Sequence, residues 1–375
     1  MEESGSAVQN KSFSFTGKGG EFFAIWIVNV ALTILTLGIY SAWAKVRTHQ
    51  YFYGNTLLDG ASFRYTANPI QILKGRLIAF ALFVGYYIAS TISPIVAASA
   101  LVILMILVPM LIVISLTFRL RNSVYRNVRF NFDKDFVTAY KVFAIPVVIV
   151  GAYIFIAGQL EGMQASEEGL SPAFTILIGL LLPAIIFMFP WWEKMITEFK
   201  VMHTKYGTSN FIFSATVKNF YGMYLKMYGL LILVFTILGV MIAVFMNNSD
   251  AAQGMLLIMP FFGTVIFVVY MWVFAYIQAK RTNLIYNNLN VAGHTVQSEL
   301  KVGYLLYLYI TNTLAMMATL GLLMPWAKIR TARYRASVTS VNVVGDLGQF
   351  SSDQAESQSA LGEEVGDMFD MDIGF

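Results

Sequence analysis

Between Arg76 and Arg119 lie 42 residues without a single charge, broken only by Ser93-Pro94. One helix needs roughly 20 apolar residues to cross hydrocarbon, so a run of that length fits two helices and a tight turn. Similar pairs run from Lys141 to Lys194, around an acidic loop at Glu161–Glu168, and from Lys226 to Lys280, around Asn247–Gln253. Further apolar runs fall at 22–40 and 302–323. Charged residues make up 12% of the chain, about half the usual share in a soluble domain. The composition therefore specifies a polytopic membrane protein and excludes an ordinary soluble fold. The absence of cysteine excludes disulfides, thiolate metal sites and cysteine nucleophiles.

Basic residues cluster at 45–76, 119–141, 194–226 and 280–301, while the loops inside the three paired runs have none. By the positive-inside rule those four blocks face the cytoplasm and the intervening loops face outward. Ala42-Trp43-Ala44 has the form of a signal-peptide cleavage site. However, Glu2, Glu3 and Glu21 precede it, and Trp326-Ala327 repeats it near the other end of the chain, so Phe22–Tyr40 is expected to be retained.

Each basic block also contains a short alternating segment: Phe63-Arg-Tyr65-Thr, Phe130-Asn-Phe132-Asp, Phe211-Ile-Phe213-Ser and, more weakly, His294-Thr-Val296-Gln. Phe13-Ser-Phe15-Thr16 opens the chain in the same style. Aromatic and polar alternation reads as half-buried strand. The expected fold is an all-α polytopic membrane bundle of about six to eight transmembrane segments. It carries small cytoplasmic β elements and is built from internal repeats. The expected boundaries are an N-terminal arm over 1–21, a membrane domain over 22–345, and an acidic disordered tail over 346–375.

The repeat is plainest at the ends. TLGIYSAWAKVRTHQY at 36–51 and TLGLLMPWAKIRTARY at 319–334 agree at nine of sixteen positions. Trp43, Lys45, Arg47 and Tyr51 in one copy, and Trp326, Lys328, Arg330, Arg333 and Tyr334 in the other, suit a helix lying at headgroup depth. They are candidates either for a plain membrane anchor or for a site holding anionic lipid headgroups. Asn29 and Asn312 share one offset from TLG, and an amide inside a membrane helix needs a partner, usually on another helix. Full crossing by the two end segments would place four C-terminal cations outside, against the positive-inside rule. Entry, a turn at TLG and return is therefore the preferred reading.

Phe15-Thr-Gly-x-Gly-Gly-Glu21, Ile27-Val-Asn29, Thr36-Leu-Gly-Ile-Tyr40, Trp43-Ala-Lys45, Tyr51-x-Tyr-Gly-Asn55 and Leu58-Asp-Gly60 resemble the YjgN family of bacterial inner-membrane proteins. The resemblance spans roughly residues 12–345. It implies a multi-pass protein of the bacterial inner (cytoplasmic) membrane and brings no functional residues with it.

Catalytic patterns are scarce. His49, His203 and His294 lie in separate blocks without metal-ligand spacing and read as surface or interface residues. Gly17-Lys18-Gly19-Gly20 lacks the phosphate-loop consensus. Ionisable residues are missing from the middle of the spans, which argues against ion-coupled pumping. Pro109, Pro146, Pro183 and Pro260 permit kinks of the kind transporters use. No enzyme activity, metal, cofactor or nucleic-acid partner is expected; the lipid bilayer is. The leading functional reading is a passive or facilitated conduit for a small solute or lipid. The alternative is a non-enzymatic scaffold or regulator that binds a partner through its cytoplasmic β layer.

Overall fold

The computed structural model describes residues 8–145, 148–149, 151, 172–248 and 251–364. The acidic loop 161–168, Pro146 and residues 365–375 lie outside the described residues. In chain order the elements are β1 (Val8–Phe15), α1 (Gly19–Leu35), α2 (Ser41–Gly54), β2 (Thr56–Leu58), β3 (Ala61–Tyr65), α3 (Pro69–Ile92), α4 (Pro94–Arg121), β4 (Ser123–Tyr125) and β5 (Val128–Phe132). There follow α5 (Phe136–Ile145), α6 (Pro172–Met202), β6 (Thr204–Tyr206), β7 (Ser209–Phe213), α7 (Val217–Asn248), α8 (Ala251–Tyr286), β8 (Leu289–Val291) and β9 (His294–Ser298). The chain closes with α9 (Val302–Ala318), α10 (Met324–Ser337), β10 (Thr339–Val344) and α11 (Leu347–Glu364).

Two compact units emerge: one holds 1–28, 55–62 and 214–346, the other 29–54, 63–213 and 347–375. In the first, β1 pairs with both β2 and β10, and β9 pairs with both β10 and β8, all antiparallel. In the second, β3 pairs with β4, β4 with β5, β5 with β6, and β6 with β7, again antiparallel. The full strand order closes into a ten-stranded barrel.

This corrects the expected all-α bundle with small β elements. The strands foreseen from alternation are β1, β3, β5, β7 and β9. Their partners β2, β4, β6 and β8 have only three residues each, too few to show a period of two, and they follow directly on helix ends. Each foreseen strand would offer an open edge, which a closed ring abolishes. The turns joining even to odd strands are tight. Asp59-Gly60, Arg126-Asn127 and Ala292-Gly293 have positive φ at both central residues, the type I′ geometry that matches strand twist.

A helix pair links β1 to β2, β3 to β4 and β9 to β10, and in each case the flanking strands are neighbours in the ladder. The α9–α10 pair shows the return directly. The Tyr334 hydroxyl accepts from the Lys301 amide at 2.9 Å, the Tyr304 and Tyr334 rings lie 4.3 Å apart, and Asn312 reaches Ala327 and Thr331. Residues near the start of α9 thus touch residues near the end of α10. Each helix is short, 17 and 14 residues, so α9 spans about 25 Å, less than the ~30 Å hydrocarbon core.

The two TLG turns are near copies. Gly38 N donates to Thr33 O at 2.8 Å and Leu37 N to Ile34 O at 3.1 Å. Gly321 N donates to Met316 O at 2.7 Å and Leu320 N to Met317 O at 3.3 Å. This is the Schellman pattern, which satisfies the last carbonyls of α1 and α9. Leucine occupies the left-handed position in both turns, φ 50° at Leu37 and 48° at Leu320, at a cost of about 1–2 kcal/mol. Both side chains are almost wholly exposed, 95% and 96%, as an apolar tip dipping into lipid would be. The threonine of each motif caps its own turn: Thr36 Oγ1 accepts from Tyr40 N at 2.9 Å, and Thr319 Oγ1 from Leu323 N at 3.2 Å.

Four described helices, Pro69–Ile92, Pro94–Arg121, Val217–Phe245 and Pro260–Tyr286, are long and apolar enough to cross a membrane. Leu77, Phe80, Phe83, Ile103, Ile232, Phe235 and Ile266 on these helices are exposed. Burying one such side chain gains about 1.5–3 kcal/mol, so only lipid can cover faces of this size.

The segment expected as a disordered tail from 346 is helical over Leu347–Glu364. Its docking face joins Leu347 and Phe350, the latter 5.9 Å from the Tyr206 ring, to polar contacts that hydropathy does not reveal. Tyr206 Oη donates to Ser351 Oγ at 3.1 Å, and Gln354 Oε1 accepts from Thr208 N at 2.8 Å. Gln358 both accepts from Arg129 N at 3.0 Å and donates to Arg129 O at 3.2 Å.

Since the chain has no cysteine, single cysteines report sidedness cleanly. Gln297→Cys and Val344→Cys, before α9 and after α10, should react with an impermeant maleimide from the same side as Ser62→Cys. Thr91→Cys, at the far end of α3, should react from the opposite side. Labelling of Gln297→Cys and Val344→Cys from opposite sides would show that the α9–α10 segment crosses.

Candidate functional site

The two WAK helices, α2 and α10, are equal in length, yet they place their candidate residues differently. In α10, the Arg330 guanidinium lies over two rings, 5.0 Å from Tyr307 and 5.1 Å from Trp326. It donates to Thr311 Oγ1 at 2.6 Å and to Asn312 Oδ1 at 3.3 Å. Arg333 donates to Gly17 O at 3.1 Å. Tyr334 is engaged with Lys301 and Tyr304 as described. Lys328 and Trp326 are exposed. Arg330 and Arg333 are thus tied into the protein.

In α2, Arg47 is exposed and its guanidinium sits 5.7 Å from the Tyr40 ring, which stacks on Trp43 at 6.1 Å. Tyr51 contacts Phe52 edge-on at 5.9 Å. Asn29 is buried, and neither end of its amide has a partner; Asn312, equally buried, has three. The two asparagines share a register but not a bonding state. Residue differences account for this. Position 28 is valine where position 311 is threonine, so no hydroxyl accepts from the arginine. Position 40 is tyrosine where position 323 is leucine, so Arg47 has a ring of its own to lie over.

A pocket in the first unit lies elsewhere, at the junction of strands and helices. It is open to solvent on one side and has a volume of about 310 Å3. Phe13 and Phe15 of β1 and Leu300 form its apolar surface; Thr56, Thr282 and Thr339 supply hydroxyls; Tyr286, Ala332 and Ala336 complete the wall. Arg335 is the one charged lining residue among the described residues, and its Nη2 donates to Gln278 Oε1 at 3.2 Å. An apolar wall with one cation and three hydroxyls suits a small amphiphile with an anionic end. The foreseen strand β1 provides the two aromatic residues Phe13 and Phe15 of the wall. Arg335 sits beside the foreseen cations, but only the fold turns it toward Thr282 and Tyr286 of α8.

His294, expected at a surface or interface, is buried in β9, and its Nδ1 accepts from Val344 N at 3.1 Å. Burial pushes its pKa below the ordinary histidine value. Among the described residues no group of histidine and carboxylate side chains could hold a metal ion.

The chain matches the family described as bacterial protein of unknown function, DUF898, over residues 10–368. It belongs to this family. A relative from Salmonella typhimurium, inner membrane protein YjgN, is 26% identical over 358 residues, covering 90% of this chain and 89% of that protein. The Escherichia coli K12 inner membrane protein YjgN is 28% identical over 186 residues, covering 48% and 44%. No solved structure matches. With its four apolar helices, this DUF898 member is a multi-pass protein of the bacterial inner membrane.

Two substitutions in this DUF898 chain should have opposite signs. Asn312→Leu leaves Arg330 and Thr331 short of a partner and should lower stability by about 1–2 kcal/mol. Asn29→Leu removes a buried, unpartnered amide and should leave stability unchanged or raised, read as the thermal midpoint in detergent. The His294 environment sets a pH dependence. With the folded pKa lowered, the unfolded chain binds more protons below about pH 6.5, so stability should fall as pH drops through that range. His294→Asn keeps an acceptor for Val344 N without a titrating ring, and should flatten that fall.

Proposed function

We propose that this protein is a passive or facilitated conduit, without catalytic chemistry, for a small anionic amphiphile such as a lipid or lipid-like solute. The observation that carries the reading is the 310 Å3 cavity among β1, β2, β10, α8 and α10, with its apolar wall and single cation. The volume suits a headgroup or a small solute. Arg335 would meet the anionic end, the threonine hydroxyls would orient it, and Phe13 and Phe15 would cover its apolar part. The exposed apolar helices support a bilayer, with anionic headgroups at its surface, as the surroundings of that cavity. A scaffold or regulator is the second reading, favoured by α11: the strands of the second unit hold a helix, in large part through polar side chains.

Proteoliposomes containing a fluorescent phosphatidylglycerol, with dithionite quenching of the outer leaflet, test the proposal. Wild-type protein should speed transbilayer exchange well above protein-free vesicles. Thr282→Trp, which fills the cavity, and Arg335→Gln, which removes its cation, should each cut the rate about tenfold, the equivalent of roughly 1.4 kcal/mol. If wild-type vesicles exchange neither this lipid nor a small soluble anion faster than empty ones, the conduit reading fails.

A further inference from the structure

Three cations on three different helices of the second unit adjoin residues of one apolar cluster, and among the described residues none has an acidic partner. Lys45 of α2 lies between Ala42 and Val46, both buried in that cluster; Arg76 of α3 lies one turn past Ile72; Arg119 of α4 is next to Phe118. Arg76 donates through Nη1 to the Ser41 hydroxyl at the start of α2, which ties the second cation to the helix bearing the first. Among the described residues, no carboxylate forms an ion pair with Lys45, Arg76 or Arg119. The neighbouring phenol supplies no charge either, because burial, and then Tyr53, push the Tyr65 pKa up to about 12. Burial lowers the Lys45 pKa, and Arg76 and Arg119 lower it further, so Lys45 feels both arginines. Uncompensated like charges drawn together are costly, and an anion between them removes the cost.

We propose that Lys45, Arg76 and Arg119 form a site for a phosphate group. Guanidinium forks and an ammonium are the donors that phosphate oxygens take. The position also fits a phosphate at the membrane surface. The uncharged stretch of α3 begins directly after Arg76, and that of α4 ends directly before Arg119. Arg119 lies two residues from the end of α4 and Arg76 two turns into α3, so both border the uncharged run on its strand side, where headgroups meet the helices. The C-terminal copy builds no such set from its own arginines: Arg330 and Arg333 already donate to Thr311, Asn312 and Gly17. This site lies in the second unit and does not depend on the conduit reading, which rests on the cavity of the first.

Binding of phosphatidylglycerol to the full chain in detergent, followed by native mass spectrometry and by the thermal midpoint, tests the site. Arg119→Gln leads, because the Arg119 side chain makes no hydrogen bond or ion pair among the described residues and its loss should not disturb folding. Loss of one charged partner should weaken binding about tenfold or more. The triple change Lys45→Gln, Arg76→Gln, Arg119→Gln should abolish it, and Lys45→Arg should preserve it. Phosphatidylcholine, whose choline the cations repel, should bind the wild type more weakly. Inorganic phosphate is the second arm. If it leaves lipid binding unchanged, the phosphate belongs to a lipid; if it competes and itself raises the midpoint in wild type but not in the triple variant, the site holds and a soluble phosphate fills it. Equal phosphatidylglycerol binding by wild type and a folded triple variant, with no response to inorganic phosphate, would overturn the proposal.

Discussion

A three-residue strand cannot stand alone, and four of the ten strands here are that short. Each such strand sets two or three residues against a neighbour, and a ladder bond is worth about 1 kcal/mol net, against a backbone entropy cost of similar size per residue. It is ordered because it has a neighbour on either side in a ring without ends. Ring closure in turn requires that the helices between β1 and β2, β3 and β4, and β9 and β10 return the chain one ladder spacing from where it left. Helical hairpins do so; a single crossing helix would not.

That requirement explains the repeated TLG break. Its backbone reverses within a few residues, capped by its own threonine and by a Schellman bond, so it needs no partner from elsewhere. In a medium without water that self-sufficiency matters, since each orphaned backbone group would cost several kcal/mol. The fold accepts two strained leucines to obtain it.

The copies then diverge by side chain. Thr311 draws Arg330 inward and the C-terminal hairpin becomes closed and internally bonded. Val28 offers no such oxygen, Arg47 stays out, and Asn29 is left buried without a partner. The C-terminal copy has become the structural one. The N-terminal copy keeps Lys45 available beside cations from the next helical pair.

The sequence by itself determined the membrane class, the paired spans, the odd-numbered strands and the repeated turn. These are written in local patterns: charge-free length, alternation of period two, and the i to i+5 closure that Thr-Leu-Gly permits. It also gave the candidate residues their neighbours along the helix, so Trp43, Lys45 and Arg47 could be picked out together. Tertiary structure alone decided the rest. Three-residue strands carry no readable period, and α11 docks through Ser351, Gln354 and Gln358, which hydropathy scores as solvated. Arg76 and Arg119 flank a 42-residue gap in the sequence and look like the two ends of a membrane pair. Only the return of α4 against α3, helices of 28 and 24 residues, brings Arg119 back to the end of the pair that holds Arg76 and Lys45.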